Sequence, residues 1–523
     1  MKYSGFFAIN RRYASWPTAL FALLILCTTF AIAPASPSLA SDQVKKLIKD
    51  ALKLARNGSV DEAEAMLRRA REMDDQRSDT KVELAFVLTK QRKLIEAYDL
   101  VFPVAQAEPK NSRAFAVLGA TLLTAGRFRE ARLMFFNAIK LNNREHLAWA
   151  GYGLLDFYEN NITQSYENLR EAVFHKPDEP DYLFALAQVA SRGERYSEAA
   201  DAYNDFLNVS NTADVDRRAR IKGLINFLRF LGQSGSLYVG ADKDQTSVPF
   251  ELVGNRPIIK LKINRNEEPL RFVLDTGSGI SVVSDETAKR LKIKAVTKGG
   301  HARGIGGDGK FEIVYGLLRE VRIGDVAVKN VPVYLRKFHK ESAKIDGYVG
   351  LALISKFLTT IDYGNQTFSL TKKDVDTRQF RENNELSLPL RLTSSGFLSG
   401  EVLLQGLEAP LNFIVDTGAS VSVISDRVAG TDGISQFVNE EKLRVIGSAG
   451  VTDNVPTFML PRVTFGSHTR RGIMAVALDL DIINEASGFE QSGILGGNFL
   501  KNYRLTFDFK NSKVTFVSVK PEN

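Results

Sequence analysis

The chain has 523 residues, of which 44% are hydrophobic and 25% charged, the proportions of an ordinary globular protein. This length predicts about two to four domains, each large enough to bury its own core. The formal net charge of +8 is mild for the length, and no run of Lys and Arg accompanies it, so a nucleic-acid partner is not indicated.

The first forty residues have the composition of an export signal. Basic residues come first, an apolar run follows from Ala19 to Ala33, and Ser38-Leu39-Ala40 provides the small residues of a cleavage site. We therefore expect residues 1–40 to be a signal peptide and the chain to be periplasmic or otherwise exported. An uncleaved membrane anchor stays open as an alternative, because residues 17–33 are just long enough to cross a membrane. Cys27, the single cysteine, lies in this run, so the mature chain has no disulfide and no catalytic thiol.

Small residues recur every 34 positions between residue 41 and about residue 210, which is typical of a helical repeat array. The first register holds Ala51, Ala85, Gly119, Gly153 and Ala187. The second holds Ala63, Ala97, Ala131, Ser165 and Ala199, and the third holds Ala70, Val104, Ala138, Ala172 and, as an exception, Phe206. Antiparallel helices approach closely only where small side chains lie at their crossing, so about five stacked helix pairs are expected. The pattern resembles the tetratricopeptide repeat.

Asp214 to Leu231 predicts one more helix, which we expect to cap the array, so that the array spans residues 41–232. Residues 233–247 are polar and contain Gly and Ser, which predicts a linker. Two functions are open for the array. It offers a concave surface to a protein partner or a substrate segment, or it is a spacer that holds the second half of the chain at a distance.

One segment of the second half occurs twice. The copies are Phe272-Val273-Leu274-Asp275-Thr276-Gly277-Ser278 and Phe413-Ile414-Val415-Asp416-Thr417-Gly418-Ala419. In each copy the apolar residues predict a buried strand, and Asp-Thr-Gly predicts a sharp turn at its end. A single Asp-Thr-Gly arises by chance in roughly one chain in ten of this length, but two copies with matching flanks do not. We therefore predict that Asp275 and Asp416 meet as a catalytic pair.

The surroundings of the two copies are also repeated in the same order. Short strands are expected at Pro257–Ile263, 270–274, 311–317 and 327–334, and again at 402–404, 411–415, 457–460 and 474–478. Each set is followed by an apolar-apolar-Gly triplet, which ends in Val349-Gly350 in the first and Leu495-Gly496 in the second. These repeats indicate two lobes made by internal duplication, lobe 1 at 248–375 and lobe 2 at 376–523.

On these residues the second half resembles the aspartic proteases, in their small-lobed retropepsin-like form, from about residue 250 to 519. The resemblance implies that Asp275 and Asp416 are catalytic. It implies a supporting role for Thr276, Gly277, Ser278, Thr417, Gly418, Ala419, Val349, Gly350, Leu495 and Gly496, with the threonines bonding across the lobe interface. It also implies a flap in each lobe, for which the candidates are Gly304-Ile305-Gly306-Gly307 and Gly447-Ser448-Ala449-Gly450.

The implied chemistry is hydrolysis of a peptide bond by an activated water. Two carboxylates about 3 Å apart cannot both ionise, so they share one proton. The ionised one accepts a proton from water, and the protonated one donates to the scissile carbonyl oxygen. Which aspartate takes which role is not given by the residues, because the pair titrates as a unit. Ser278 can in principle hydrogen-bond the outer oxygen of Asp275, whereas Ala419 cannot do this for Asp416, and we look to that difference to separate their pKa values.

Other chemistries have little support. Residues 304–309 fit the G-x-G-x-x-G of nucleotide loops, but a strand pattern follows where those loops require a helix. The five histidines are scattered, so neither a metal nor a cofactor is expected. The sequence thus predicts an all-α tetratricopeptide solenoid followed by an all-β bilobal aspartic-protease domain, an endopeptidase of polypeptides whose active site lies within one chain. The alternative is a periplasmic scaffold whose lobes bind peptide without cutting it.

Overall fold

The structure, a computed structural model, describes residues 37–240, 243–307, 310–338, 344–373 and 386–519. The predicted signal peptide lies outside these ranges except for its last four residues. The alternative anchor at 17–33, Cys27 and the predicted boundary between the lobes at 375 also lie outside the described residues. No helix within the described ranges is both long and apolar enough to cross a membrane.

The first half of the described chain consists of antiparallel helix pairs followed by a single last helix. The helices are α1 (Pro37–Arg56), α2 (Val60–Met73), α3 (Ser78–Lys90), α4 (Leu94–Ala107), α5 (Ser112–Thr124), α6 (Phe128–Leu141), α7 (His146–Tyr158), α8 (Ile162–His175), α9 (Pro180–Arg192), α10 (Tyr196–Val209) and α11 (Val215–Gln233). Each pair packs on the next, and α11 packs on α10. The predicted all-α solenoid is confirmed.

Small residues lie where these helices cross, as the repeat predicts. The alanines of the first two registers are completely buried: Ala51, Ala63, Ala85, Ala97, Ala131, Ala187 and Ala199. A Cβ added to Gly119 would lie 2.7 Å from the Phe135 ring, and one added to Gly153 would lie 2.6 Å from Leu169 Cγ. The small residues therefore recur every 34 positions because no larger side chain fits where the helices cross.

The second half is made of strands with short helices between them. Before and in lobe 1 the strands are β1 (Val239–Gly240), β2 (Gln245–Val253), β3 (Arg256–Ile263), β4 (Leu270–Leu274), β5 (Ser281–Ser284), β6 (Ala295–Arg303), β7 (Lys310–Ile323), β8 (Val326–Arg336), β9 (Gly347–Val349), β10 (Phe357–Asp362) and β11 (Thr367–Lys372). In lobe 2 they are β12 (Leu386–Pro389), β13 (Arg391–Leu392), β14 (Leu398–Leu404), β15 (Leu411–Val415), β16 (Ser422–Ser425), β17 (Val438–Ile446), β18 (Val451–Phe465), β19 (His468–Leu478), β20 (Gly493–Leu495), β21 (Tyr503–Asp508) and β22 (Lys513–Ser518). The short helices are α12 (Asp285–Arg290), α13 (Leu351–Ile354), α14 (Asp426–Ala429), α15 (Asp432–Ser435), α16 (Asp481–Ser487) and α17 (Gly497–Leu500).

The two lobes have the same strand order, as an internal duplication requires. Lobe 1 follows β3-β4-β9-β5-β8-β7-β6, and lobe 2 follows β14-β15-β20-β16-β19-β18-β17. The remaining stretch, β12-β22-β21-β10-β11-β2, takes strands from both lobes and joins them. The predicted all-β bilobal domain is confirmed.

Two strands lie in the stretch where the sequence predicts a linker, namely β1, which pairs with β8, and the first residues of β2. Strand β2 begins at Gln245, inside the predicted linker 233–247, and places Thr246 opposite Leu370 of β11. Most of the β2 side chains are exposed. A strand whose side chains are mostly exposed has the same polar composition as a linker, so composition alone does not distinguish the two.

The array is docked directly on lobe 2. Phe489 of lobe 2 is completely buried in the core of the array, with its ring 5.0 Å from the rings of Phe128 and Tyr158. Arg192 of α9 donates a hydrogen bond of 2.7 Å to the carbonyl oxygen of Thr393. Burial lowers the pKa of Arg192 to about 9. Because array and lobe share an apolar core, the array does not hold the lobes at a distance as a spacer would.

The last helix of the array packs on lobe 1. A Cβ added to Gly223 of α11 would lie 2.4 Å from the Cα of Gly299 in β6, so the two backbones are in contact. Phe227 of α11 stacks on Tyr315 of β7, with 4.4 Å between the ring centroids. Helix α11 therefore covers the outer face of the β6–β7 hairpin.

Candidate active site

Asp275 and Asp416 directly follow β4 and β15, at equivalent ends of the two lobes. Strand β4 pairs in parallel with β9, and β15 pairs in parallel with β20. The backbone N–H of Asp275 therefore donates to the carbonyl oxygen of Val349, and that of Asp416 donates to Leu495, each at 3.0 Å. The predicted supports Val349 and Leu495 thus lie directly behind the two turns.

The glycines that follow these supports lie where no side chain fits. A Cβ added to Gly350 would lie 2.7 Å from the carbonyl carbon of Ile280. One added to Gly496 would lie 2.6 Å from the carbonyl oxygen of Val421. In both lobes the support strand can pass behind the Asp-Thr-Gly loop only because the residue is glycine.

The two threonines bond across the interface between the lobes. The hydroxyl of Thr276 donates to the carbonyl oxygen of Val415, and that of Thr417 donates to Leu274, each at 2.7 Å. The Thr417 N–H donates to the Thr276 hydroxyl at 3.0 Å, and the Thr276 N–H donates to the Thr417 hydroxyl at 3.2 Å. Both residues are completely buried. These four bonds hold the two turns together.

The carboxyl groups of Asp275 and Asp416 hydrogen-bond each other. A Cβ added to Gly277 would lie 2.4 Å from Asp416 Cγ, and one added to Gly418 would lie 2.6 Å from Asp275 Oδ1, so each glycine makes room for the opposite carboxyl. Burial raises the pKa of both groups, and the charge of Asp416 raises the pKa of Asp275 further, well above its ordinary value. The pair therefore keeps a proton at pH values where a solvated Asp has none.

Backbone donors distinguish the two aspartates. The Gly418 N–H donates to Asp416 Oδ1 at 2.7 Å. Burial raises the pKa of Asp416. The hydrogen bond with Asp275 and the amides of Gly418, Ala419 and Gly277 lower it and offset part of that rise. The Gly277 N–H also donates to Asp275 Oδ1, at 3.0 Å. Because amide donors stabilise the ionised form, the larger number of donors around Asp416 favours ionisation of Asp416 over that of Asp275.

Ser278 does not act as the sequence comparison indicated. Its hydroxyl donates to the carbonyl oxygen of Ile280 at 2.9 Å, inside its own loop, and not to Asp275. Its carbonyl oxygen accepts a bond of 2.8 Å from the N–H of Leu351. Ser278 therefore supports the loop, and the difference between the two aspartates comes from main-chain amides that residue types do not reveal.

Both predicted flaps are hairpin tips, and the two tips touch. Residues 304–307 follow β6, and residues 447–450 join β17 to β18. The Ala449 N–H donates to the carbonyl oxygen of Ile305 at 2.8 Å, and the Gly307 N–H donates to Val451 at 3.1 Å. Ile305 packs on the same apolar cluster as Ala419, which follows the Asp416 turn. The tips therefore lie over the cleft that contains the carboxyl pair.

Three side chains near Asp275 were not predicted from the sequence. Burial and then the charge of Asp275 raise the pKa of Tyr348, while Arg256 and Arg336 oppose this rise. Burial lowers the pKa of Arg336, and the neighbouring Tyr348 and Asp275 counteract it. A position-by-position comparison of the two copies would have found them, because each differs in character from its counterpart in lobe 2.

Two other kinds of site, a metal site and a nucleotide-binding loop, can also be compared with the structure. In the described ranges no group of three or more His, Cys, Asp or Glu side chains is placed to hold a metal ion. Strand β7 begins at Lys310, directly after the glycine-rich segment, so the helix that a nucleotide loop requires is not there.

Known proteins resemble the two halves of the chain separately. The family model described as "Aspartyl protease" matches residues 259–353 and 401–499, one stretch in each lobe. No curated protein matches the chain. Matching solved structures include a thermophilic TPR protein of Thermus thermophilus, 19% identical over 35% of this chain and 98% of that one, with a TM-score of 0.31. Another is pilF of Pseudomonas aeruginosa, 19% identical over 37% of this chain and 86% of that one, with a TM-score of 0.29. Each lobe of the second half thus contains one stretch that matches the aspartyl-protease family model, and an all-α helical array precedes both lobes.

Proposed function

We propose that the chain is an exported aspartic endopeptidase, which hydrolyses peptide bonds with a water activated by Asp275 and Asp416. One observation carries the proposal. Two Asp-Thr-Gly turns are joined by reciprocal threonine bonds, and they bring together two buried carboxyl groups, so that burial and the charge of Asp416 raise the pKa of Asp275. Both turns belong to one chain, so the pair is complete without a second copy.

The difference between the aspartates assigns their roles. Ionised Asp416 accepts a proton from the water that attacks the scissile carbonyl carbon, and protonated Asp275 donates to the carbonyl oxygen. The C–N bond of the resulting tetrahedral intermediate then breaks. Asp416 gives its new proton to the leaving amine, and Asp275 recovers a proton from a hydroxyl of the intermediate. The pair ends with one proton, as it began.

The hairpin tips control access to the pair. They are hydrogen-bonded to each other, so an extended polypeptide can reach the aspartates only after the tips separate. Closure of the tips over a bound peptide excludes bulk water, which strengthens the hydrogen bonds to the reacting groups.

The proposal is tested with purified protein and an unfolded polypeptide between pH 4 and 8. The chain should cut the polypeptide, and both Asp275→Asn and Asp416→Asn should abolish cutting while leaving the circular dichroism spectrum unchanged. If the wild-type protein cuts no more than the variants but still binds the polypeptide, the non-catalytic scaffold is the correct description. If the variants keep cutting, the carboxyl pair is not the active site.

A recruiting role for the array is part of the same proposal. The second helix of each of the five described helix pairs carries an exposed apolar side chain, including Phe136 (53% exposed) and Phe174 (76% exposed). Phe136→Ser and Phe174→Ser should raise KM for a long polypeptide and leave cleavage of a short peptide unchanged. Equal KM values for the long polypeptide in wild type and variants would remove this role.

Export is proposed from the N-terminal residues alone. A full-length chain produced in a bacterium should be recovered from the periplasm, with an N-terminus that follows Ala40. Recovery from the membrane with an intact N-terminus would indicate the anchor instead, and recovery from the cytoplasm would contradict export.

A further inference from the structure

Two arginines on the lobe-1 side of the cleft pair with no carboxylate side chain in the described part of the chain. Arg256 begins β3 and Arg336 ends β8, and both side chains are half-buried. The Nε atom of each is enclosed without a hydrogen-bond partner among the residues that the structure describes. An enclosed donor without a partner costs free energy, and the carboxyl charge that acts on both arginines is that of Asp275, which belongs to the catalytic pair. A second anion would therefore have to come from outside the described residues.

Arg336 lies beneath the flap of lobe 1. Its guanidinium carbon is 4.0 Å from the centroid of the Phe311 ring, and Phe311 is the second residue of β7. A Cβ added to Gly304 at the flap tip would lie 3.1 Å from the same ring. The guanidinium is therefore placed between the flap hairpin and the catalytic turn of lobe 1.

Arg256 lies where lobe 1 meets lobe 2. The preceding residue, Asn255, donates from its side chain to the carbonyl oxygen of Ser420 at 3.1 Å, in the loop that follows Asp416. The charges of both arginines also reach Tyr348, which packs edge-on against Phe338 with 5.3 Å between the ring centroids. The two arginines and Tyr348 thus form one wall of the cleft, on the Asp275 side.

Lobe 2 presents apolar residues at the same positions. The strand registers of the two lobes align Arg256 with Phe397, Arg336 with Leu478 and Tyr348 with Ile494. The three lobe-2 residues belong to one apolar cluster, which also contacts Ile305 of the lobe-1 flap. The opposite walls of the cleft therefore differ in charge, although the two lobes arose from one sequence.

We propose that Arg256 and Arg336 bind a carboxylate of the substrate, so that the enzyme prefers an acidic residue on the Asp275 side of the scissile bond and an apolar residue on the Asp416 side. This inference rests on the proposed peptidase function. The planar guanidinium forms two parallel hydrogen bonds to a carboxylate, which makes arginine suited to this selection. A Glu or Asp side chain and a C-terminal carboxylate offer the same chemistry, and the experiment distinguishes them.

The experiment uses fluorogenic peptides of eight residues that differ at one position. In each set Glu replaces Gln at one of the three positions on either side of the bond that is cut, with both peptide ends blocked. One position on one side should show kcat/KM raised about tenfold or more for Glu over Gln, the size expected for a charge-assisted hydrogen bond. A second set ends with Gln and a free C-terminus at each of the three positions after the bond. A gain in this second set alone overturns the preference for an acidic side chain and shows that the arginines bind a C-terminal carboxylate instead.

Variants then assign the preference to the arginines. Arg336→Leu introduces the residue of the matching lobe-2 position and should remove the preference for Glu, whereas Arg336→Lys should keep part of it. Arg256→Gln should reduce it as well. The matched control is Arg319→Leu, because Arg319 is exposed on β7, farther along the strand from the flap, and this variant should leave the preference unchanged.

The outcomes separate this inference from the function on which it rests. Cutting without any difference between Glu and Gln, or a preference that survives both arginine variants, overturns the inference and leaves the peptidase intact. If no peptide is cut, the same peptides are used to measure Kd by fluorescence polarisation on the wild type and on Arg336→Leu. Tighter binding of the Glu peptide that Arg336→Leu abolishes supports the carboxylate site without catalysis, and equal binding overturns it.

Discussion

The threonine bonds between the lobes allow a quantitative test of how the site is held together. Thr276→Val removes one hydroxyl and keeps the shape of the side chain. That hydroxyl donates to the carbonyl oxygen of Val415 at 2.7 Å and accepts from the Thr417 N–H at 3.0 Å. In the variant both lobe-2 groups are left buried without a partner. Each such group costs about 1–3 kcal/mol, so we expect the interface to lose about 2–6 kcal/mol.

Hydrogen exchange measured by mass spectrometry reports this loss where it occurs. The free energy of local opening should fall in the peptides that contain β4 and β15, which corresponds to roughly 30- to 20,000-fold faster exchange. The substituted residue belongs to lobe 1 and both orphaned groups belong to lobe 2. The β15 segment should therefore respond at least as strongly as the β4 segment.

Thr360→Val provides the matched control. The Thr360 hydroxyl bonds the Thr506 hydroxyl at 3.1 Å, also between the lobes, but both residues are half-buried. Thr506 can turn to water in this variant, so the cost should stay below about 1 kcal/mol. If Thr276→Val accelerates exchange by less than about threefold, or no more than Thr360→Val, or only in β4, the threonine bonds do not hold the lobes together.

Three further predictions follow from the site and its surroundings. Asp275→Asn should be more stable than the wild type above about pH 4, by about 1.4 kcal/mol for each unit by which folding raises the pKa of Asp275. A raised pKa stabilises the folded wild type only at low pH and is lost as the pH rises, so melting curves that show an equal difference at pH 4 and pH 7 would contradict this origin. Gly418→Ala should lower kcat by about a hundredfold with little change in KM, because its Cβ would lie 2.6 Å from Asp275 Oδ1; unchanged kcat would mean that the turn adjusts. Gly223→Leu should loosen α11 from β6 and speed hydrogen exchange at residues 295–303, and exchange at the wild-type rate would show that the helix does not protect this strand.

The features that recur in the sequence were the predictable ones. The 34-residue spacing predicted the helix pairs, since only small residues fit at the crossings of Gly119 with Phe135 and of Gly153 with Leu169. The doubled Asp-Thr-Gly predicted two turns at equivalent strand ends, since strand and turn are both local patterns. The two glycine-rich segments proposed as flaps likewise became hairpin tips.

The features that depend on distant residues were not predictable. Phe489 completes the core of the array from 361 positions beyond Phe128, and no local pattern shows that these rings meet. The difference between the aspartates depends on main-chain N–H directions. The comparison of Ser278 with Ala419 was wrong about its origin, because the Ser278 hydroxyl bonds Ile280, and a bond to Asp275 would have favoured ionisation of the other aspartate. Strand β2 shows its polar face to solvent and therefore had the composition of a linker.

The packing of α11 on β6 makes the two hairpins mechanically unequal. The lobe-1 arm is pressed between α11 and β7, with Gly299 buried, whereas most of the side chains of β17 in lobe 2 are exposed. We therefore expect the lobe-2 hairpin to be the one that moves when the tips part, and the lobe-1 hairpin to stay fixed. On the proposed function, a polypeptide would enter from the lobe-2 side and pack against the hairpin that α11 holds in place. The array would then limit the movement of the lobe-1 hairpin even when nothing is bound to the array.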